Sequence, residues 1–177
     1  MTARSPAAIE RRLAALESAE RVRGLMARYM TLCDSLGPDT PMDELAALFS
    51  EDAIWIGVGA RYAQTYGEYR GRAAIVDMLG KYRGPPAHFA FNAHYLCSEA
   101  IESGHDTARG RWMMLQCSTY FDGRSDLRSA RLVIDFQERA GRWQIERFQT
   151  ENLFSRPIGR WDDPARIPTP TTEQGKS

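Results

Sequence analysis

Asp34 and His94 are the side chains of this sequence best suited to acid–base chemistry. Asp34 closes the run Arg28-Tyr29-Met30-Thr31-Leu32-Cys33-Asp34, and His94 sits in Asn92-Ala93-His94-Tyr95-Leu96-Cys97. A carboxylate that holds one imidazole nitrogen frees the other to take a proton near neutral pH. Joined in an apolar pocket, the two form a base able to abstract a proton from carbon. Taken singly they have plainer readings: His94 as a packed strand residue, and Asp34 as a helix-terminal residue ahead of Gly37. A carboxylate is poorly placed at the negative end of a helix dipole, which favours a functional reason for Asp34. His88 shares strand parity with His94 but lies about 20 Å away along a straight strand. Metal bonds are about 2 Å long, so the two imidazoles cannot share an ion. His105 falls in a turn and reads as solvated.

Other side chains can assist such a base. Tyr29 precedes Asp34 by five residues, about 140° around an ideal helix, so both face one pocket only if it wraps the helix end. Arg147 shares nominal strand parity with Trp143, Ile145 and Gln149. On an inner face it needs a partner or a substrate oxygen; on an outer face it is a surface charge. Aromatic residues are plentiful: Trp55, Tyr62, Tyr66, Tyr69, Phe89, Phe91, Tyr95, Trp112 and Tyr120. Most belong to a core; Trp55, Tyr69, Phe89, Trp112 and Tyr120 are the candidates for lining an apolar pocket around an aromatic or alicyclic ligand.

The elements that must position these groups are legible in the pattern. Apolar residues at Ile9, Leu13, Leu16, Val22, Leu25, Met26, Tyr29 and Leu32 suit an amphipathic helix from about Ser5 to Cys33, with a break expected near Gly24. Ser5-Pro6 starts it and Gly37-Pro38 stops it. A short helix is expected over 42–49, a strand over 52–57, a Gly- and Tyr-rich excursion over 57–71 with a strand at 65–70, and a third helix over 72–82. Beyond His88, the runs 88–102, 106–121, 127–139 and 142–154 are separated by short turns and read as an antiparallel meander. Their length implies strong bending and twist. Helices first and a long sheet second indicate an α+β fold: a cone-shaped, strongly bent, mostly antiparallel sheet closed by the N-terminal helices around a pocket. Residues 1–156 read as a single domain, and the proline-rich residues 157–177 as an extended or disordered tail.

Composition excludes several classes. The 177 residues carry 23 Lys plus Arg and 23 Asp plus Glu, which argues against nucleic acid or an anionic membrane as partner. Zero net charge also gives little protection against self-association. Cys33, Cys97 and Cys117 are widely spaced and read as reduced, packed thiols. No signal region or membrane span is visible, so a cytoplasmic location is expected. There is no phosphate-binding loop, nucleophile elbow or Cys-x2-Cys pair, and Gly57-x-Gly59 lacks the third glycine of a dinucleotide fingerprint. No metal site and no cofactor are expected.

The order of blocks Arg28-Tyr29-x4-Asp34, Leu48-Phe49-Ser50-Glu51-Asp52-Ala53-Ile54-Trp55, Tyr69-Arg70-Gly71-Arg72-Ala73-Ala74-Ile75, His94-x6-Ile101-x4-His105-Asp106-Thr107-Ala108-Arg109-Gly110-Arg111-Trp112 and Gly141-Arg142-Trp143-Gln144-Ile145 covers about residues 9–154. It resembles the SnoaL-like, polyketide-cyclase-like branch of the nuclear transport factor 2-like superfamily. The resemblance implies a cone-shaped α+β barrel and kinship with scytalone dehydratase, bile-acid dehydratase and hexachlorocyclohexane dehydrochlorinase, cofactor-free lyases that use an Asp–His dyad and are commonly trimeric. By that resemblance Asp34 and His94 match the dyad, Tyr29 a polar pocket residue, and Arg147 lies near a pocket arginine. The expected function is a cofactor-independent lyase acting on a hydrophobic small molecule, from a homotrimer or dimer. An isomerase or cyclase, an epoxide hydrolase, or a noncatalytic subunit such as a dioxygenase β subunit are the alternatives. The interval from Asp34 to His94 is longer than usual for the group, with the excess around residues 57–66.

Overall fold

A computed structural model describes residues 5–159. Helix α1 spans Pro6–Asp34 with proline in its first turn, and the Ser35 N–H donates to Thr31 O at its end. It passes through Gly24 without interruption: no atom lies within 4 Å of where a Cβ would stand, so nothing in the packing forces a break. Only its second half is buried, from Ser18 to Cys33, while Ile9, Leu13 and Leu16 stand exposed. The C-terminal end that carries Tyr29, Cys33 and Asp34 is therefore the anchored end.

Helix α2 spans Met42–Ala47, strand β1 Phe49–Val58, helix α3 Gly59–Thr65, strand β2 Glu68–Arg70 and helix α4 Arg72–Gly80. The excursion after β1 is thus a helix followed by a three-residue strand. Gly57 makes that fold-back possible, because a Cβ there would stand 2.6 Å from Tyr62 O. The Gly57 N–H donates to Gly67 O, closing the loop. Gly59 opens α3 at φ +73, a conformation that favours glycine. Tyr62 and Tyr66, one helical turn apart, pack edge to face.

Strands β3 Phe89–Ser103, β4 Thr107–Tyr120, β5 Ser125–Arg139 and β6 Arg142–Ile158 form the expected antiparallel meander. The sheet order is β2-β1-β6-β5-β4-β3. The first long strand inserts beside the last, in parallel, so the sheet is mixed. It is open at β2 and β3 rather than closed into a barrel, and the helices cover it in an α+β, cone-like arrangement. Strand β6 runs past the expected tail boundary, since Pro157 and Ile158 still pair with β5. Residues 160–177, the rest of that tail, lie outside the described residues.

Bulges bend the long strands and reset which side chains face inward. One interrupts β3 between Cys97 and Ala100, where Ser98 takes φ +50. Another places Ile145 opposite Phe136 and Arg147 opposite Asp135, leaving Glu146 unpaired. Past it, Phe148 and Thr150 are buried and Arg147 is not. The core they join includes the fully buried Val22, Leu45, Phe49, Ile75, Ile134 and Ile145. Each such side chain contributes about 1.5–3 kcal/mol of burial free energy.

Candidate active site

A cavity of about 110 Å³ lies between the helices and the concave face of the sheet, on the scale that holds a single ring. Helix α1 lines it with Tyr29, Met30 and Cys33, and the turn after it with Leu36. Trp55 comes from β1, Tyr62 from α3, Tyr66 from the residue that caps α3, and Met78, Leu79 and Tyr82 from α4 and the turn after it. The sheet supplies Phe89, Asn92, His94, Met114, Gln116, Arg128, Leu132, Phe148 and Thr150.

His94 and Asp34 meet at the edge of this cavity. Asp34 Oδ1 accepts two hydrogen bonds from the same residue, one from the His94 backbone N–H at 3.0 Å and one from Nδ1–H at 2.6 Å. An ionised carboxylate can only accept, so it fixes the proton on Nδ1 and leaves the Nε2 lone pair free. The His94 side chain is 11% exposed and the Asp34 side chain 30%, so the imidazole is largely dry while the carboxylate keeps contact with solvent. Asp34 does not line the cavity and reaches it through His94. That resolves the angular conflict with Tyr29, which faces the cavity directly while Asp34 approaches the imidazole from the side.

Tyr29 packs against Phe49 and Phe148, with ring centroids 5.7 and 5.0 Å away. Burial holds its hydroxyl well above the usual phenol pKa, so it remains a proton donor. Burial likewise pushes the Cys33 thiol up to about 12, which keeps it unreactive. Trp55 stacks on Phe148 at 5.8 Å. Its Nε1–H, although buried, makes no hydrogen bond of good geometry.

The remaining expectations divide. Trp55 and Phe89 line the cavity. Tyr69 does not; it packs edge-on against Trp55 at 6.2 Å. Trp112 belongs to the core, packing against Phe136 and lying over Gly110, with Nε1–H donating to Glu99 Oε2 at 3.3 Å. Tyr120 stands next to the lining, its hydroxyl donating to Asp126 Oδ2 at 2.7 Å. Arg147 is absent from the lining, because the bulge at Glu146 breaks its parity with Ile145. The cation that does line the cavity is Arg128, together with the amides of Asn92 and Gln116. Alternation along β5 marks Arg128 as facing one side, but no feature of the sequence says which. Among the described residues, no three His, Cys, Asp or Glu side chains come together as a metal-ligand set, and no helix is long and apolar enough to cross a membrane.

Several solved structures share this architecture. A type 2 hexachlorocyclohexane dehydrochlorinase superposes with a TM-score of 0.71 at 19% identity, over 87% of this chain and 99% of that one. A provisionally assigned scytalone dehydratase from Novosphingobium aromaticivorans gives 0.67 at 18%, over 84% and 96%. A nuclear transport factor 2-like protein with a cystatin-like fold from the same organism gives 0.66 at 24%, over 86% and 92%. At these identities the likeness establishes the fold. No curated protein matches the chain significantly. The model of the SnoaL-like domain matches residues 14–149, a span that takes in Tyr29, Asp34, His94, strands β1 to β5 and the first half of β6, and the chain accordingly belongs to the SnoaL-like family.

Proposed function

We propose that the protein is a cofactor-independent lyase that eliminates water, halide or a small carbonyl fragment from a hydrophobic, aromatic or alicyclic small molecule. The observation that carries this reading is the double hydrogen bond from His94 to Asp34 Oδ1 beside a cavity walled by aromatic rings. His94 Nε2 takes the proton from carbon. Asp34 holds the ring in the required tautomer and stabilises the imidazolium as it forms. Tyr29, protonated and buried in the wall, gives a hydrogen bond to the departing group. The fold shared with a dehydrochlorinase is consistent with this chemistry. Isomerisation or cyclisation would begin with the same proton abstraction and differ only in the fate of the resulting carbanion.

The test is a panel of small eliminable ring alcohols, ethers and halides, monitored by the ultraviolet absorbance of the new conjugation. Wild type turns over at least one of them, and His94→Ala loses about 10²–10⁴-fold. Equal rates in the two proteins would refute the assignment. We also propose assembly of identical subunits through the exposed aromatics Phe91 and Tyr95 on edge strand β3. Native mass measurement tests it, with a monomer as the contrary result.

A further inference from the structure

The first turns of α1 carry an apolar stripe that the fold does not use. Ile9, Leu13 and Leu16 are 55, 55 and 60% exposed. At about 100° per residue they fall within an arc of roughly 60°. The side of α1 that meets the rest of the protein runs through Ala8, Ala15, Ser18, Ala19 and Val22, all buried or half-buried, and Ser103 Oγ donates to Ala15 O at 2.8 Å. The stripe is centred roughly 130° around the helix from that side, so it points away from the sheet. It lies apart from the cavity, and Ile9 and Leu13 precede the residues matched by the SnoaL-like model. It ends at Glu20, whose carboxylate is held by Arg23.

Steps of four and then three residues are the spacing of a coiled-coil seam, with Leu13 at its centre. The residues flanking the seam are charged in an ordered way. Arg12 stands on one side, Glu10 and Glu17 on the other, and the remaining flank positions hold the small residues Ser5, Ala19 and Gly24. Among the described residues neither Arg12 nor Glu17 has an ion-pair partner.

These flanks fit a second copy of the same helix, in one orientation. In a parallel pair, a residue on one flank meets the residue five positions further along on the facing flank of the other helix. Arg12 then faces Glu17 of the second copy, twice by symmetry, and Glu10 meets only the small Ser5. In an antiparallel pair centred on Leu13, like flanks meet instead. Arg12 would face Arg12 and Glu10 would face Glu17, and both contacts repel.

We infer that the N-terminal turns of α1 are a self-docking surface on which two copies of the chain pair in parallel about a two-fold axis, each of Ile9, Leu13 and Leu16 packing on its own counterpart. The narrow arc suits a two-stranded seam. Because the stripe turns away from the sheet, the two protein bodies lie on opposite sides of the pair and neither cavity is covered. Three apolar side chains from each copy bury less than the roughly 1,200 Å² of a stable interface, so the pairing is weak and reversible. It is separate from the β3 edge that carries Phe91 and Tyr95, and it does not rest on the chemistry proposed for His94.

Sedimentation velocity of the full chain, followed up to about 1 mM, tests it. Wild type should reach twice the limiting mass of Leu13→Glu, whatever assembly the β3 edge adds to both. Leu13 is exposed, so the variant keeps its fold, which near-ultraviolet circular dichroism checks. Arg12→Glu and Glu17→Arg should each raise the dissociation constant by about 3- to 30-fold. An equimolar mixture of those two variants should pair as tightly as wild type, because every facing flank is again of opposite charge. The inference is overturned if wild type and Leu13→Glu have equal mass throughout, if the mass ratio exceeds two, or if mixing restores nothing. It is also overturned if Glu17→Arg strengthens the pairing, as an antiparallel contact requires. Equal masses with slow hydrogen exchange along the stripe would place another segment of the same chain on it, and that result overturns the inference as well.

Discussion

Asp34 Oδ1 receives both the backbone N–H and the ring Nδ1–H of His94. One oxygen therefore registers the end of α1 against β3 and selects the imidazole tautomer. Asp34→Asn can keep the first task while weakening the second. Its kcat should fall by about 10²–10⁴-fold with KM little changed, and nitrogen-detected NMR should show His94 losing its single Nδ1–H form. An unchanged tautomer with full activity would contradict this.

Arg147 and Trp112 stand apart from the cavity, so substitutions there should leave the chemistry alone. Arg147→Gln should keep kcat/KM within about 2-fold, as expected for a surface change. Trp112→Phe removes a core contact and should lower the denaturation midpoint while sparing kcat. Trp55→Phe changes the cavity wall and should alter KM. Parallel steady-state kinetics and urea titrations separate the three.

Two glycines make opposite predictions. At Gly57 a Cβ would stand 2.6 Å from Tyr62 O, so Gly57→Ala should cost about 1–3 kcal/mol and displace α3 with its two cavity tyrosines. At Gly24, in an open helical position, alanine should stabilise by about 0.5–1 kcal/mol. Urea midpoints decide both.

His88 is surrounded by the rings of Phe89, Tyr82 and Tyr120, with centroids 4.6, 5.1 and 5.2 Å away. Burial first, and the positive charge of Arg128 second, hold its pKa below the ordinary value. The unfolded chain then binds a proton that the folded protein refuses, so this residue's contribution to stability declines as pH falls below about 6.5. His88→Gln should flatten that part of the stability–pH curve. Denaturant midpoints between neutral and acidic pH measure it, and a steeper fall in the variant would reverse the sign.

The meander was legible because its turns are short and Gly- or Asp-marked, and α1 because its apolar period continues for many turns. Asp34 and His94 were legible as an ordered motif; their contact was not, since it depends on α1 ending against β3. The sequence concealed Arg128 and left the face of Arg147 open for one physical reason. Strand parity says which residues share a face, but it does not say which face is concave, and a single bulged residue such as Glu146 reverses parity beyond it. Helix α3 was hidden by Gly57 and Gly59, which read as loop residues but serve a close approach and a positive φ.

The pairing of β1 with β6 carries a consequence for biosynthesis. Trp55 and Phe148, which stack face to face in the cavity wall, are separated by nearly the whole sheet in chain order. A nascent polypeptide cannot complete the cavity until β6 has left the ribosome tunnel. Until then the flank of β1 stays unsealed, an unpaired strand edge of the kind that invites aggregation, and a chain terminated before β6 would lack that wall of the cavity.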